Sequence, residues 1–125
     1  MDHVPDLAGY RILVVEDEYL LAIGIADEIE DHGGIVVGPM TTLDDGIRAL
    51  EEHKPDAAIV NINLGPDKVY PLADQMRAKD VPFVFASSED RAAIPDRFND
   101  VPLHSKPISM VNAAAALMRT SRGEN

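Results

Sequence analysis

The sequence predicts an α/β fold, a doubly wound parallel sheet of five strands with helices on both faces. Short apolar runs alternate with longer segments of helical period, the pattern of a parallel sheet covered by helices. The run Ala57–Val60 is apolar throughout, as a strand buried on both sides requires. Five strands and about five helices fill the 125 residues and leave no room for a second domain, so 1–125 is expected to be one domain.

The first strand is expected over Ile12–Val15. Leu21, Ile25 and Ile29 then recur every four residues with Ala22 and Ala26 beside them, which makes a helix with one apolar face ending at Gly33-Gly34. Ile35–Val37 is a short second strand. Thr42 suits the cap of a second helix with the stripe Leu43, Ile47 and Leu50, and Pro55 prevents its continuation. Ala57–Val60 is the third strand and Gly65-Pro66-Asp67 the turn after it. Leu72 and Met76 mark a third helix closed by Asp80, and Val81–Ala86 is the fourth strand. SSEDRAAIPDRFND contains Pro95 and supports only a short or irregular helix. Val101–His104 is a brief fifth strand. Ser109–Met118 is a closing helix with Met110, Ala114 and Leu117 inward, followed by a frayed tail.

Composition excludes several classes of function. There are no cysteines, which removes disulfides and thiolate metal sites and suits a reducing cytoplasm. The N-terminal MDHVPDLAGY has neither the basic start nor the apolar core of an export signal, and no run approaches a membrane span. The net charge of −11 is uneven, with 14 acidic against 3 basic residues through Ile62 and 8 against 8 after it. Nucleic acid is not expected as a partner, because phosphate binding needs clustered Lys and Arg. Most of the carboxylates belong to solvated helix faces such as DEIED. His3, His32, His53 and His104 have no metal-binding spacing.

Right-handed crossovers give an open sheet, and an order 2-1-3-4-5 places its switch point between the first and third strands. Glu16, Asp17 and Asn61 then share one crevice. Two adjacent carboxylates facing an oxygen donor from the neighbouring strand form a hard oxygen site of the kind that suits Mg²⁺.

Together VVEDE, the strand ending at Asn61, Ser87 after VFA, and Lys106-Pro107 after the fifth strand resemble the receiver domain of bacterial response regulators, CheY-like in type, over nearly the whole chain. The resemblance implies a flavodoxin-like (βα)5 fold. It implies that Glu16 and Asp17 hold Mg²⁺ with the residue at position 61 and the backbone carbonyl of Asn63. Position 61 would be the phosphoacceptor, Ser87 would bond the phosphoryl oxygen, and Lys106 would contact the phosphoryl group from the other side. The partner would be a histidine kinase or a histidine phosphotransfer protein in a two-component phosphorelay. Metal, lysine and hydroxyl would neutralise charge on the moving phosphoryl oxygens.

The family pattern has Asp where this chain has Asn61. A neutral amide is a far poorer nucleophile than a carboxylate and cannot form an acyl phosphate, so the chain is expected to be phosphorylation-dead. Loss of one negative charge also lowers affinity for Mg²⁺. Asp56 lies five residues earlier on the same strand, about 16 Å away at the strand rise, and cannot stand in. Asp67 would reach the site only by accident of its loop. Two histories fit the amide, a substitution made to lock the unphosphorylated form or a natural pseudo-receiver that regulates by docking. Retention of Glu16, Asp17, Ser87 and Lys106 favours the first.

Two further departures concern output. Many receivers have an aromatic residue three positions before the lysine, where this chain has Leu103. Pro82-Phe83-Val84-Phe85-Ala86-Ser87 resembles the receiver subclass marked by P-F-x-F-A-T-G-x-Y, diverging after Ser87, and in that subclass the fourth helix is short or disordered and partner kinases are often of the HWE and related types. The chain is therefore expected to be a stand-alone receiver acting by protein contact in the cytoplasm, with a target at the face from the fourth helix to the fifth strand. A trimmed DNA-binding output domain is disfavoured by the frayed tail. A Mg²⁺-dependent phosphatase of haloacid dehalogenase type is the enzyme rival, but Asn61-Ile62-Asn63 has neither carboxylate of its D-x-D motif. A nucleotide or flavin binder would need a glycine-rich loop after the first strand, and there is none.

Overall fold

A computed structural model describes residues 7–104 of the chain. Lys106-Pro107 and the closing helix expected over Ser109–Met118 lie outside the described residues. The elements are β1 (Arg11–Val15), α1 (Tyr19–Asp31), β2 (Ile35–Met40), α2 (Leu43–His53), β3 (Ala57–Val60), the hairpin strands β4 (Asn63–Leu64) and β5 (Asp67–Lys68), α3 (Tyr70–Ala78), β6 (Phe83–Ala86) and β7 (Leu103–His104). The main sheet has the order β2-β1-β3-β6-β7 and is parallel throughout. With the antiparallel β4–β5 hairpin set aside this is the expected order 2-1-3-4-5 of a flavodoxin-like sheet.

Side-chain alternation along the strands divides the core between two faces. Leu13, Val15, Ala58, Val60 and Phe85 face α2 and α3 through Leu50, Leu72 and Met76. Ile12, Val14, Ile59 and Val84 pack on the other face with Ile25 and Ile29 of α1. All four residues of β3 and of β6 are buried, which is why neither strand shows polar alternation. No helix among the described residues is long and apolar enough to cross a membrane.

The ends of the elements follow local chemistry. Thr42 caps α2 as expected, its hydroxyl accepting from the Asp45 N–H at 3.1 Å. Helix α1 stops at Gly33-Gly34, where Gly33 takes φ +88° and the Gly34 N–H returns to the Ile29 carbonyl at 3.0 Å. Gly46, inside α2, is a packing choice: a Cβ there would lie 3.0 Å from Leu72 Cδ2 and 3.2 Å from Val15 Cγ2.

Four strand boundaries differ from those expected, the first by one residue, since β1 begins at Arg11 rather than Ile12. Strand β2 continues past Val37 to Met40 through a cis Gly38-Pro39 bond and a register shift against β1. An edge strand tolerates a proline, which donates nothing to the ladder, and Gly38 at φ +107° supplies the required backbone. Strand β6 begins at Phe83 rather than Val81, because the Val81 N–H is spent on the Met76 carbonyl at 2.9 Å and Pro82 has no N–H. Strand β7 begins at Leu103 rather than Val101, whose N–H bonds the Phe98 carbonyl at 3.0 Å.

The fourth connection is irregular, as Pro95 demands: two short 3₁₀ turns, Arg91–Ala93 and Asp96–Phe98, take the place of a helix. Ile94, Phe98 and Val101 anchor it in the core.

Candidate functional site

Glu16, Asn61 and Ser87 are the buried polar side chains of the described residues, at 1 %, 6 % and 1 % exposure. Each is the first residue beyond β1, β3 or β6, so all three lie at the carboxyl end of the sheet. The backbone ladders run on just far enough to position them. The Glu16 N–H donates to the Met40 carbonyl at 2.9 Å, the Asn61 N–H to the Val15 carbonyl at 2.8 Å, and the Ser87 N–H to the His104 carbonyl at 3.0 Å.

The Asn61 side chain is the centre of this crevice. Its Nδ2 donates to Glu16 Oε2 at 3.2 Å, Asp17 Oδ1 at 3.1 Å and the Asn63 backbone carbonyl at 2.8 Å. All three partners are acceptors, which fixes the orientation of the amide, and two N–H bonds shared among three oxygens require one of them to be bifurcated. Backbone donors complete the cradle: the Glu18 N–H reaches Glu16 Oε2 at 3.1 Å, and the Gly65 N–H reaches Asp17 Oδ2 at 3.1 Å. Burial pushes the Asp17 carboxyl up, but hydrogen bonds to the Gly65 N–H, the Glu16 side chain and the Asn61 amide together outweigh it, and its pKa falls below the ordinary aspartate value.

Thus the structure brings Glu16, Asp17, Asn61 and the Asn63 carbonyl to one point. Ser87 stands at the neighbouring strand end, with its Oγ accepting from the Glu89 N–H at 3.2 Å in a local turn. Lys106 lies outside the described residues. Asp56 is at the opposite end of the sheet, where its Oδ2 accepts from the Arg11 N–H at 2.8 Å, and Asp67 is exposed on β5.

A polar strap not foreseen from the sequence runs beside the crevice. The Asn63 side chain donates to Glu89 Oε1 at 2.9 Å and accepts from Lys68 Nζ, which is 3.6 Å from Glu89 Oε1. The turn Gly65-Pro66-Asp67 carries the only sequence signal for it, since closing that turn into a hairpin pairs Asn63 with Lys68. Lys68 and the Asn63 amide hold the half-buried Glu89 carboxyl low: the bond from Asn63 is the largest cause and the Lys68 charge the next.

A magnesium ion takes oxygen ligands at about 2.0–2.1 Å in near-octahedral array. The oxygens that would ligate it here are turned onto an N–H donor that stands between them, so the residues as arranged do not fit the ion. No group of three or more His, Cys, Asp or Glu among the described residues is placed to hold a metal.

No family model matches the chain. Among solved structures, a CheY-like response regulator receiver domain from Methylobacillus flagellatus shares the fold, with TM-score 0.75 and 20% identity over 90% of this chain and 98% of that one. The BeF3-activated conformation of SdrG from Pseudomonas melonis Fr1 is 36% identical, over 91% of this chain and 98% of that one, with TM-score 0.72. The chain belongs to the CheY-like receiver family. A curated relative, the transcriptional regulatory protein PdtaR of Mycobacterium tuberculosis, is 23% identical over 111 residues, 86% of this chain and 54% of PdtaR. The receiver domain therefore spans about half the length of the curated relatives it matches.

Proposed function

We propose that this chain is a receiver domain of a two-component phosphorelay, acting by protein contact and unable to accept a phosphoryl group. The observation that carries this reading is the buried amide of Asn61 at the carboxyl end of β3, bonded to the Glu16-Asp17 pair across the switch point of the sheet. A receiver fold puts the phosphoacceptor at that strand end, and an amide there has no nucleophilic oxygen to form an acyl phosphate. Glu16, Asp17 and the Asn63 carbonyl are the remains of a magnesium site, and Ser87 and Lys106 are the phosphoryl-binding pair. The partner is a histidine kinase or a histidine phosphotransfer protein.

The two 3₁₀ turns after β6 support membership of the subclass with an irregular fourth helix, alongside Pro82-Phe83-Val84-Phe85-Ala86. Leu103, half-buried against the α2–α3 core, holds the place of the usual switch aromatic. Output through a rotating ring at that position is therefore absent, which favours regulation by docking of one fixed state. Intact-mass measurement after exposure to acetyl phosphate and Mg²⁺ tests the reading. The chain is expected to remain unmodified and the Asn61→Asp variant to gain one phosphoryl group. An adduct on the first, or none on the second, overturns it.

A further inference from the structure

We infer that the Asn61 amide nitrogen takes the place of the divalent cation, so that the crevice is held shut by an internal donor and has no use for metal. The inference rests on reading the crevice as that of a receiver, and goes beyond weakened affinity to a substitution of one positive pole by another.

The geometry favours it on three counts. The three oxygens that would converge on an ion, from Glu16, Asp17 and the Asn63 carbonyl, converge on Nδ2 at 2.8–3.2 Å. To ligate magnesium they would have to close in to about 2.0–2.1 Å around a point the amide holds, after it had turned away and surrendered those bonds. Second, neutral N–H donors already reach Glu16 Oε2 and both oxygens of Asp17 without an ion. Asn in place of Asp removes one carboxylate and adds a donor, while the Glu18 N–H shares Glu16 Oε2 with the amide and the Gly65 N–H takes the second oxygen of Asp17, Oδ2. Third, the donor is anchored: the Asn61 N–H is in the ladder with Val15 at 2.8 Å, and the side chain is 6 % exposed, so the amide is positioned before any solute arrives. A bound ion lends its charge only while it stays; this donor is covalently present. The consequence is that the loops after β1 and β3 hold one arrangement at any magnesium concentration.

The test compares the chain with Asn61→Asp by thermal melting in EDTA, Mg²⁺ and Mn²⁺, and by Mn²⁺ broadening of amide signals at Glu16, Asp17 and Asn63. The chain is expected to melt at the same temperature in all three media, with no saturable broadening. Asn61→Asp is expected to melt lower in EDTA, to gain roughly 5 °C at magnesium about ten times its dissociation constant, and to broaden at those three positions. Saturable broadening in the unsubstituted chain overturns the inference. So does a failure of Asn61→Asp to take metal, since the amide would then not be what keeps the ion out. If Asn61→Asp binds metal but gains no phosphoryl group from acetyl phosphate, the inference stands and the receiver reading of the site falls.

Discussion

The crevice beyond β1 and β3 and the connection from β6 to β7, which leaves the same end of the sheet and returns across its face, are held by opposite means. In the crevice, polar groups are withdrawn from water and depend on one another: Glu16 and Asn61 are buried and share a bond. In the connection the charges stay in water and the anchor is a ring. Phe98 is fully buried, Tyr70 stacks on it at 5.6 Å and Phe85 meets it edge-on at 5.8 Å. Arg97 and Arg77 cover the ring at 4.6 and 5.5 Å while pairing with Asp74 and Asp100. A buried donor that is removed leaves a partner with nowhere to turn, whereas an exposed charge that loses its partner finds water. The connection can therefore do without a regular helix, and the crevice cannot do without its amide.

The largest effect is expected on the side of the ring. Phe98→Ala should cost about 3–5 kcal/mol in urea unfolding, the range for emptying a buried aromatic position, with the hydrogen-exchange protection of the Asn61 side chain unchanged in the fraction that remains folded. Next comes Asn61→Leu, which keeps the branched outline in a larger side chain and removes the donor. It should cost about 2–3 kcal/mol at neutral pH, and the deficit should narrow as pH falls into the carboxylate range, because a protonated carboxyl no longer demands a donor. A deficit independent of pH would mean that packing, not the crevice hydrogen bonds, is what Asn61 contributes.

Thr42→Ala sets a scale between buried and exposed interactions. Loss of that cap should cost about 1 kcal/mol, read as a shift in the urea midpoint at constant m-value. The smallest effect is expected at the exposed pairs. Asp100→Asn should change stability by under about 1 kcal/mol and less still in high salt. The Arg77 guanidinium bonds hold Asp100 below the ordinary aspartate value, against a smaller effect of burial. Its folded pKa is depressed, so its small contribution is complete above the unfolded value, about 3.9, and disappears as pH falls through the lower folded value. A pair worth as much as the Asn61 amide would erase the contrast between the two regions.

Much of the fold was legible because burial on both faces leaves a strong mark. Ala57–Val60 matched its strand to the residue, and Thr42 and Gly33-Gly34 marked helix ends through local chemistry that needs no tertiary context. The three larger boundary differences lie beside prolines and were decided by tertiary context. Pro39 is tolerated because β2 is an edge, and Val81 and Val101 leave their strands because neighbouring turns claim their N–H groups. At the site, position in the chain placed Glu16, Asp17 and Asn61 in one crevice, since strand order decides which strand ends are neighbours. The strap of Asn63, Lys68 and Glu89 gave no comparable signal. It joins a hairpin to a loop 21 residues beyond Lys68, a proximity made by the packing of β3 against β6.

Periodicity and composition were enough to specify the parallel sheet, its helices and the strand end on which Asn61 stands, because these follow from which residues must leave water and at what spacing. Which way the amide points was not written there. Asn carries an acceptor and a donor at the two ends of one group, and only the convergence of Glu16, Asp17 and the Asn63 carbonyl, three acceptors drawn from two neighbouring strands, decides that the nitrogen faces inward and the crevice closes on itself.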